Sequence, residues 1–166
     1  MKISEILDLS KPFWEQLAGG SDQSIRIWIR EDALNGVMQD NTSGHSYSEG
    51  YAKYKANDFK SFRTGKRLPG YETGSYDNDV SKVTMYATGN TINGLAYYDS
   101  DSTSVTLRFN PEDGMKVKWN AERGEPYDIW GLNDINIEKV RKRIISEYKK
   151  NTGKLPKVVE IYVTRN

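Results

Sequence analysis

The sequence predicts an α+β fold: an antiparallel β-sheet packed against one long C-terminal helix, with short N-terminal helices and a long loop. Three observations carry this prediction. Apolar and polar residues alternate at Ser24–Arg30 and Thr103–Asn110, the mark of half-buried strands. A capped stretch of helical period runs from Ile135 to Lys150. Between Arg63 and Asp79 lie three Gly, one Pro and few aliphatic residues, a composition that suits neither element.

Taken in order, Ser10–Ala18 is expected as a short helix, with Ser10 capping free amides, Pro12 in the first turn and Gly19-Gly20 as the stop. In Ser24–Arg30 the alternation places Ile25, Ile27 and Ile29 on one face and Arg26, Trp28 and Arg30 on the other, so a strand is predicted. Glu31–Gln39 adds two helical turns. Asp40–Gly50 is turn-rich, and Tyr47–Phe62 sets Tyr51, Tyr54, Lys55 and Phe59 at helical spacing. Val80–Ala87 is apolar enough for a strand or a packed arm, broken by Thr88-Gly89.

Ile92–Tyr98 and Thr103–Asn110 are read as a hairpin through Asp99-Ser100-Asp101-Ser102. Asn110-Pro111-Glu112-Asp113-Gly114 is read as a turn into a further strand, Met115–Trp119. Asn133 or Asp134 caps the long helix, whose apolar stripe is Ile137, Val140, Ile144 and Tyr148, with Lys149-Lys150 complementing the dipole at its end. Gly153 and Pro156 stop it, and Lys157–Thr164 is predicted as a last strand. Residues 1–166 are read as one domain, with 1–22 as an N-terminal helical arm and 63–79 as a long loop.

Composition narrows the function. A net charge of +1 gives no global pull toward nucleic acid or an anionic membrane. The absence of cysteine excludes disulfides, thiolate nucleophiles and cysteine-based zinc sites. No apolar run approaches the roughly 20 residues of a membrane span, and the N-terminus lacks the apolar core of a signal peptide, so synthesis in a cytoplasm is expected. Eleven Tyr and four Trp offer large contact area with polar tips, as interfaces favour, or else they cap a small β-rich core.

Catalytic constellations fail one by one. His45 is the only histidine and lies in a polar turn, Ser43-Gly44-His45-Ser46. Asp99-x-Asp101-x-Thr103 begins like a calcium loop, but Ser104 stands where Gly is wanted and Asn110 lacks the bidentate carboxylate. Gly89 and Gly94 have phosphate-loop spacing, followed by Leu95-Ala96 in place of Lys-Ser/Thr. The acid pairs Asp77/Asp79 and Glu112/Asp113 lie in turn-rich sequence, where Asp more often bonds its own backbone. No catalytic residue, cofactor or metal is therefore expected. Two basic groups remain as a candidate contact face: Arg63, Lys66 and Arg67 in the loop, and Lys139, Arg141, Lys142 and Arg143 on the helix.

Three separated stretches act as architectural joints: Tyr47-Ser48-Glu49-Gly50-Tyr51-Ala52-Lys53-Tyr54-Lys55, Val83-Thr84-Met85-Tyr86-Ala87-Thr88-Gly89-Asn90-Thr91-Ile92, and Ile129-Trp130-Gly131-Leu132-Asn133-Asp134. In kind and order they resemble the virion-morphogenesis, or tail-completion, proteins of tailed bacteriophages, from about Leu34 to Tyr148. The N-terminal helix and C-terminal strand have no counterpart in that pattern, and Glu125-Pro126-Tyr127 replaces an aromatic-proline-glycine approach to the helix.

The resemblance implies a structural, non-enzymatic part of a virion, made in the host cytoplasm. It would form a homo-oligomeric ring in the head-tail connector or tail terminus, against portal, neck or tail-tube proteins and with non-specific contact to DNA. On this reading Tyr47, Tyr51, Tyr54, Tyr71, Tyr76 and Trp130 are candidate subunit-interface residues, and Arg63–Asp79 is an arm that orders on assembly. The competing readings are a small hydrolase using loop carboxylates and an accessory nucleic-acid-binding protein using the basic helix.

Overall fold

Ser10, Ser24, Ser48 and Asn133 each sit one residue before a helix and cap it, so local side-chain chemistry marks four of the starts. The computed structural model describes residues 9–38, 40–67, 78–84, 90–101, 104–122, 131–156, 159 and 161. The elements are α1 (Lys11–Gly19), α2 (Ile25–Asn35), α3 (Glu49–Ala56), α4 (Asn90–Gly94), β1 (Leu95–Ser100), β2 (Val105–Phe109), α5 (Pro111–Glu122) and α6 (Asp134–Thr152). This is an α+β fold with a two-stranded antiparallel sheet among the described residues and a long C-terminal helix.

Two expected strands are helices. Ser24–Arg30 falls within α2, where Ile25, Trp28, Ile29 and Ala33 are buried. Ile25, Ile27 and Ile29 alternate, while Ile25, Trp28, Ile29 and Ala33 repeat at i, i+3, i+4 and i+8, and the ends decide between the two periods. Ser24 Oγ accepts the Ile27 N–H at 3.4 Å, and Gly36 closes the helix in the left-handed region at φ 66°. Trp28, assigned to the polar face of a strand, is a core residue at 7% exposure. Met115–Trp119 likewise lies inside α5. Asn110 Oδ1 accepts the Asp113 N–H at 2.9 Å, Pro111 takes the first helical position, and Glu112 and Asp113 occupy the first turn. The residues read as a turn are a helix start.

The hairpin forms, with Leu95 opposite Phe109 and Tyr97 opposite Leu107, but with other bounds than expected: residues 92–94 belong to α4, and Asp99 and Ser100, expected in the turn, pair within β1. Its register shifts between Tyr97 and Asp99, leaving Tyr98 as the extra residue of a bulge under the Arg108 guanidinium, 3.6 Å from the ring centre. Asp101 Oδ1 accepts the Ser104 N–H at 2.7 Å in the connecting turn, supporting the local backbone.

Leu9, Phe13, Trp14 and Leu17 join Ile25, Trp28 and Ile29, Leu95, Val140 and Ile144, and Val159 in one core. Helix α1 lies along the hairpin so closely that a Cβ on Gly19 would come within 2.9 Å of Tyr97 Cβ. Helix α6 reaches the same core through Val140 and Ile144. Of the expected last strand, Lys157–Thr164, only Val159 and Ile161 lie within the described residues, and both pack on this core. Residues 80–84 of the Val80–Ala87 segment run without strand pairing, with Val83 buried at 1% exposure; 85–87 lie outside the described residues.

Candidate functional site

The Tyr47–Lys55 stretch folds into a clamp around residues 79–84. Ser48 Oγ accepts the Tyr51 N–H at 3.4 Å and starts α3, a helix of only two turns. Asp58 and Phe59, at φ 54° and 57°, then reverse the chain through the left-handed region. Phe59, 1% exposed, is thereby folded back against Tyr54, edge to face at 5.4 Å, and against Tyr51 at 6.4 Å. Tyr47 completes the aromatic cluster, 5.0 Å from Tyr51.

Lys55 stands in the middle of this cluster with 0% exposure. Its Nζ donates to the Asp79 carbonyl at 2.6 Å and to Tyr47 Oη at 3.3 Å, and lies 4.9 Å from the centre of the Tyr47 ring. A buried ammonium is tolerated only when oxygen and π partners replace its water, and these supply them. Tyr47 Oη in turn donates to the Thr84 carbonyl at 2.6 Å and accepts the Thr84 N–H at 2.8 Å. Nearby the Val83 N–H donates to the His45 carbonyl at 2.8 Å. Gly36 is the fixed point under the joint: a Cβ there would meet the Val83 carbonyl oxygen at 2.2 Å. The first two stretches singled out in the sequence are thus one joint, met through Tyr47 and Thr84.

Of the six candidate interface residues, Tyr47 and Tyr54 are half-buried in this joint and Tyr51 is 42% exposed beside it. Tyr71, Tyr76 and Trp130 lie outside the described residues. The third stretch caps α6 through Asn133, whose Oδ1 accepts the Asn136 N–H at 2.9 Å. Asn133 and Asn136 also donate their side-chain amides to Asp32 Oδ2, at 2.9 Å and 2.5 Å, tying α6 to α2.

The basic residues divide sharply. On α6, Lys139 Nζ donates to Asn136 Oδ1 at 2.8 Å and lies over the Trp28 ring, Arg141 pairs with Glu138, and Arg143 donates to the Gln23 carbonyl. Only Lys142 of that group is both exposed and without a described partner. In the loop, Arg67 approaches Asp58 at 3.8 Å, whereas Arg63 and Lys66 are exposed and unpaired among the described residues.

Asp79, Asp113 and the histidine are engaged in local structure; Glu112 is exposed and pairs with Lys116 at 3.2 Å, and Asp77 lies outside the described residues. Asp113, 4% exposed, accepts from Asn110 Nδ2 at 2.5 Å, Lys116 Nζ at 3.0 Å and Thr91 Oγ1 at 3.1 Å, stitching α4 to α5. Burial alone would raise its pKa, but these three bonds outweigh that and hold the carboxyl below its ordinary range. Asp79 accepts the Ser81 N–H at 2.8 Å, which lowers its pKa in the same sense. His45 Nε2 meets Thr42 Oγ1 at 2.9 Å while that hydroxyl donates to Asp40 Oδ1 at 2.6 Å. With the hydroxyl between acid and imidazole, the order differs from a triad, in which the imidazole stands between the nucleophile and the carboxylate. Among the described residues no three His, Asp or Glu side chains converge on a metal site, and no described helix is long and apolar enough to cross a membrane.

Sequence reasoning missed Thr84 as the partner of Tyr47, the Asp32 link between α2 and α6, and Phe62, which projects at 69% exposure beside Arg63. The first two are long-range pairings without local signal; Phe62 was visible only as the end of a helical spacing that the left-handed turn at Asp58 interrupts. No family model, curated protein or solved structure matches the chain.

Proposed function

We propose that this chain is a structural subunit of a tailed-phage virion, part of the head-tail connector or tail-completion ring, acting by self-association and by contact with portal, neck or tail-tube proteins. The observation that carries the reading is the Lys55 joint. The first of the three stretches that carry the resemblance, Tyr47 to Lys55, is spent on fastening one chain segment to another, with a buried ammonium and a tyrosine closed on a backbone amide. That is the work of a scaffold that must hold its shape under contact. Exposed apolar side chains such as Tyr51, Ile135 at 59% and Leu155 at 67% supply surface for lateral contacts.

The hydrolase alternative gains nothing from Asp79 and Asp113, whose carboxylates accept the Ser81 N–H and the Asn110, Lys116 and Thr91 donors respectively. The helix-based nucleic-acid alternative is weakened by the internal partners of Lys139, Arg141 and Arg143. Light scattering during gel filtration, followed by negative-stain microscopy, tests the proposal with the purified chain alone and mixed with the portal and tail-tube proteins of the same virion. A closed ring, or a stable complex with one of those proteins, is expected. A monomer that stays solitary beside every one of them would overturn it.

A further inference from the structure

We infer that the loop tip at residues 61–66 is a contact for single-stranded nucleic acid, with Phe62 stacking on a base and Arg63 and Lys66 meeting the flanking phosphates. The tip is built before any ligand arrives. Lys60 and Arg67 form an antiparallel bridge at its base. Above it the Ser61 N–H donates to the Lys66 carbonyl at 2.9 Å and the Gly65 N–H to the Ser61 carbonyl at 2.8 Å. Ser61 Oγ accepts from both Arg63 and Thr64 N–H at 3.3 Å, and Gly65 takes φ +66° to close the turn. A loop already ordered in this way loses little conformational entropy on binding.

What the tip presents selects the partner. Phe62 is 69% exposed, the highest value among the large apolar side chains described. Residues 59–67 contain four cations and no acid. Lys60 and Arg67 share Asp58, at 3.5 Å and 3.8 Å, which leaves Arg63 and Lys66 as charges with no counter-ion among the described residues. One exposed aromatic face on the same short tip as two cations without a counter-ion matches a strand of alternating bases and phosphates. Duplex DNA keeps its base faces stacked and offers Phe62 no such surface. An anionic bilayer is a poorer fit, because the neighbours of the lone phenyl are Ser61, Thr64 and Gly65, and interfacial anchoring needs a broader apolar face or a longer cationic run. The inference is independent of ring formation, since one subunit carries the whole tip.

Fluorescence anisotropy with a labelled 20-mer oligothymidylate tests it across a salt series. Phe62→Ala should weaken binding roughly 5- to 150-fold, the range of one lost base stack, with an unchanged thermal midpoint because the side chain is exposed. The double variant Arg63→Glu/Lys66→Glu should flatten the slope of log affinity against log salt by about 1.4, as two lost phosphate contacts require. Absence of binding, an affinity indifferent to Phe62→Ala, a preference for duplex of equal length, or co-sedimentation with phosphatidylserine vesicles in place of oligonucleotide binding would each overturn it.

Discussion

Asp32 and Asp113 are both withdrawn from water, yet burial acts on them with opposite net results. At Asp32 desolvation is the largest influence and raises the pKa above 3.8, only partly offset by nearby Lys139 and the bond from Asn136. A carboxyl whose folded pKa is raised favours folding below its unfolded pKa, and that contribution disappears as pH rises through the folded value. At Asp113 the bonds from Lys116, Asn110 and Thr91 prevail over desolvation and lower the pKa, so its contribution is present above 3.8 and vanishes as the solution is acidified. Urea midpoints measured between about pH 2 and 6 separate the two, since ordinary Asp groups titrate near 3.9. Asp32→Asn should remove part of the decline on the rising side, and Asp113→Asn part of the decline on the acid side. Curves parallel to wild type in either variant would contradict the assignment.

Among the elements, the Lys55 joint makes the sharpest demand. Tyr47→Phe strips the Thr84 N–H and carbonyl of their side-chain partner and should cost about 1–3 kcal/mol in urea unfolding, the usual penalty for buried groups left unmet. Lys55→Met removes the donor to the Asp79 carbonyl, and the double variant should fall short of the sum of the singles by about 0.5–3 kcal/mol, as contacting residues do. Additive effects would mean the two groups do not work together. Gly36→Ala is expected to cost more than about 1 kcal/mol, because it combines a left-handed backbone with a clash against the Val83 carbonyl oxygen. Thermal unfolding checks it, and an unchanged midpoint would contradict the close approach.

The same scale explains which elements were legible. Helices α1 and α6 announce themselves through Ser10 and Asn133 at one end and Gly20 and Gly153 at the other, so cap and period agree. The β1–β2 hairpin is legible because Val105, Leu107 and Phe109 alternate across a polar turn. In α2 two periods coexist, and reading Ile25, Ile27 and Ile29 as a strand face ignored the Ser24 cap. In α5 the same conflict recurs: Met115, Val117 and Trp119 alternate, while Asn110-Pro111 is a good capping sequence that starts a helix. Both cases favour end signals over short alternations when they conflict.

For the molecule as a whole, the proposed assembly role predicts that residues 68–77, which include Tyr71 and Tyr76, carry subunit contacts. Deleting the entire Arg63–Asp79 stretch would be a poor test, because the Asp79 carbonyl holds Lys55. Replacing 68–77 with a Gly/Ser linker of the same length is the sharper test, because it leaves the Asp79 carbonyl in place. Ring formation should be lost. A ring that forms unaltered would move the subunit contact elsewhere, to the exposed side chains of α3 and α6.

By itself the sequence determined the α+β class, the hairpin, the two best-capped helices and the importance of Tyr47 to Lys55, because caps, turns and periodicity act over a few residues and are written locally. Only the tertiary structure decided that Tyr47 closes on Thr84, that Asp32 takes the side-chain amides of Asn133 and Asn136, that Lys139, Arg141 and Arg143 find partners within the fold, and that Phe62 is exposed on the same loop tip as Arg63 and Lys66. Those outcomes depend on which distant groups compete for the same buried partner, and that competition is settled only when the chain has closed on itself.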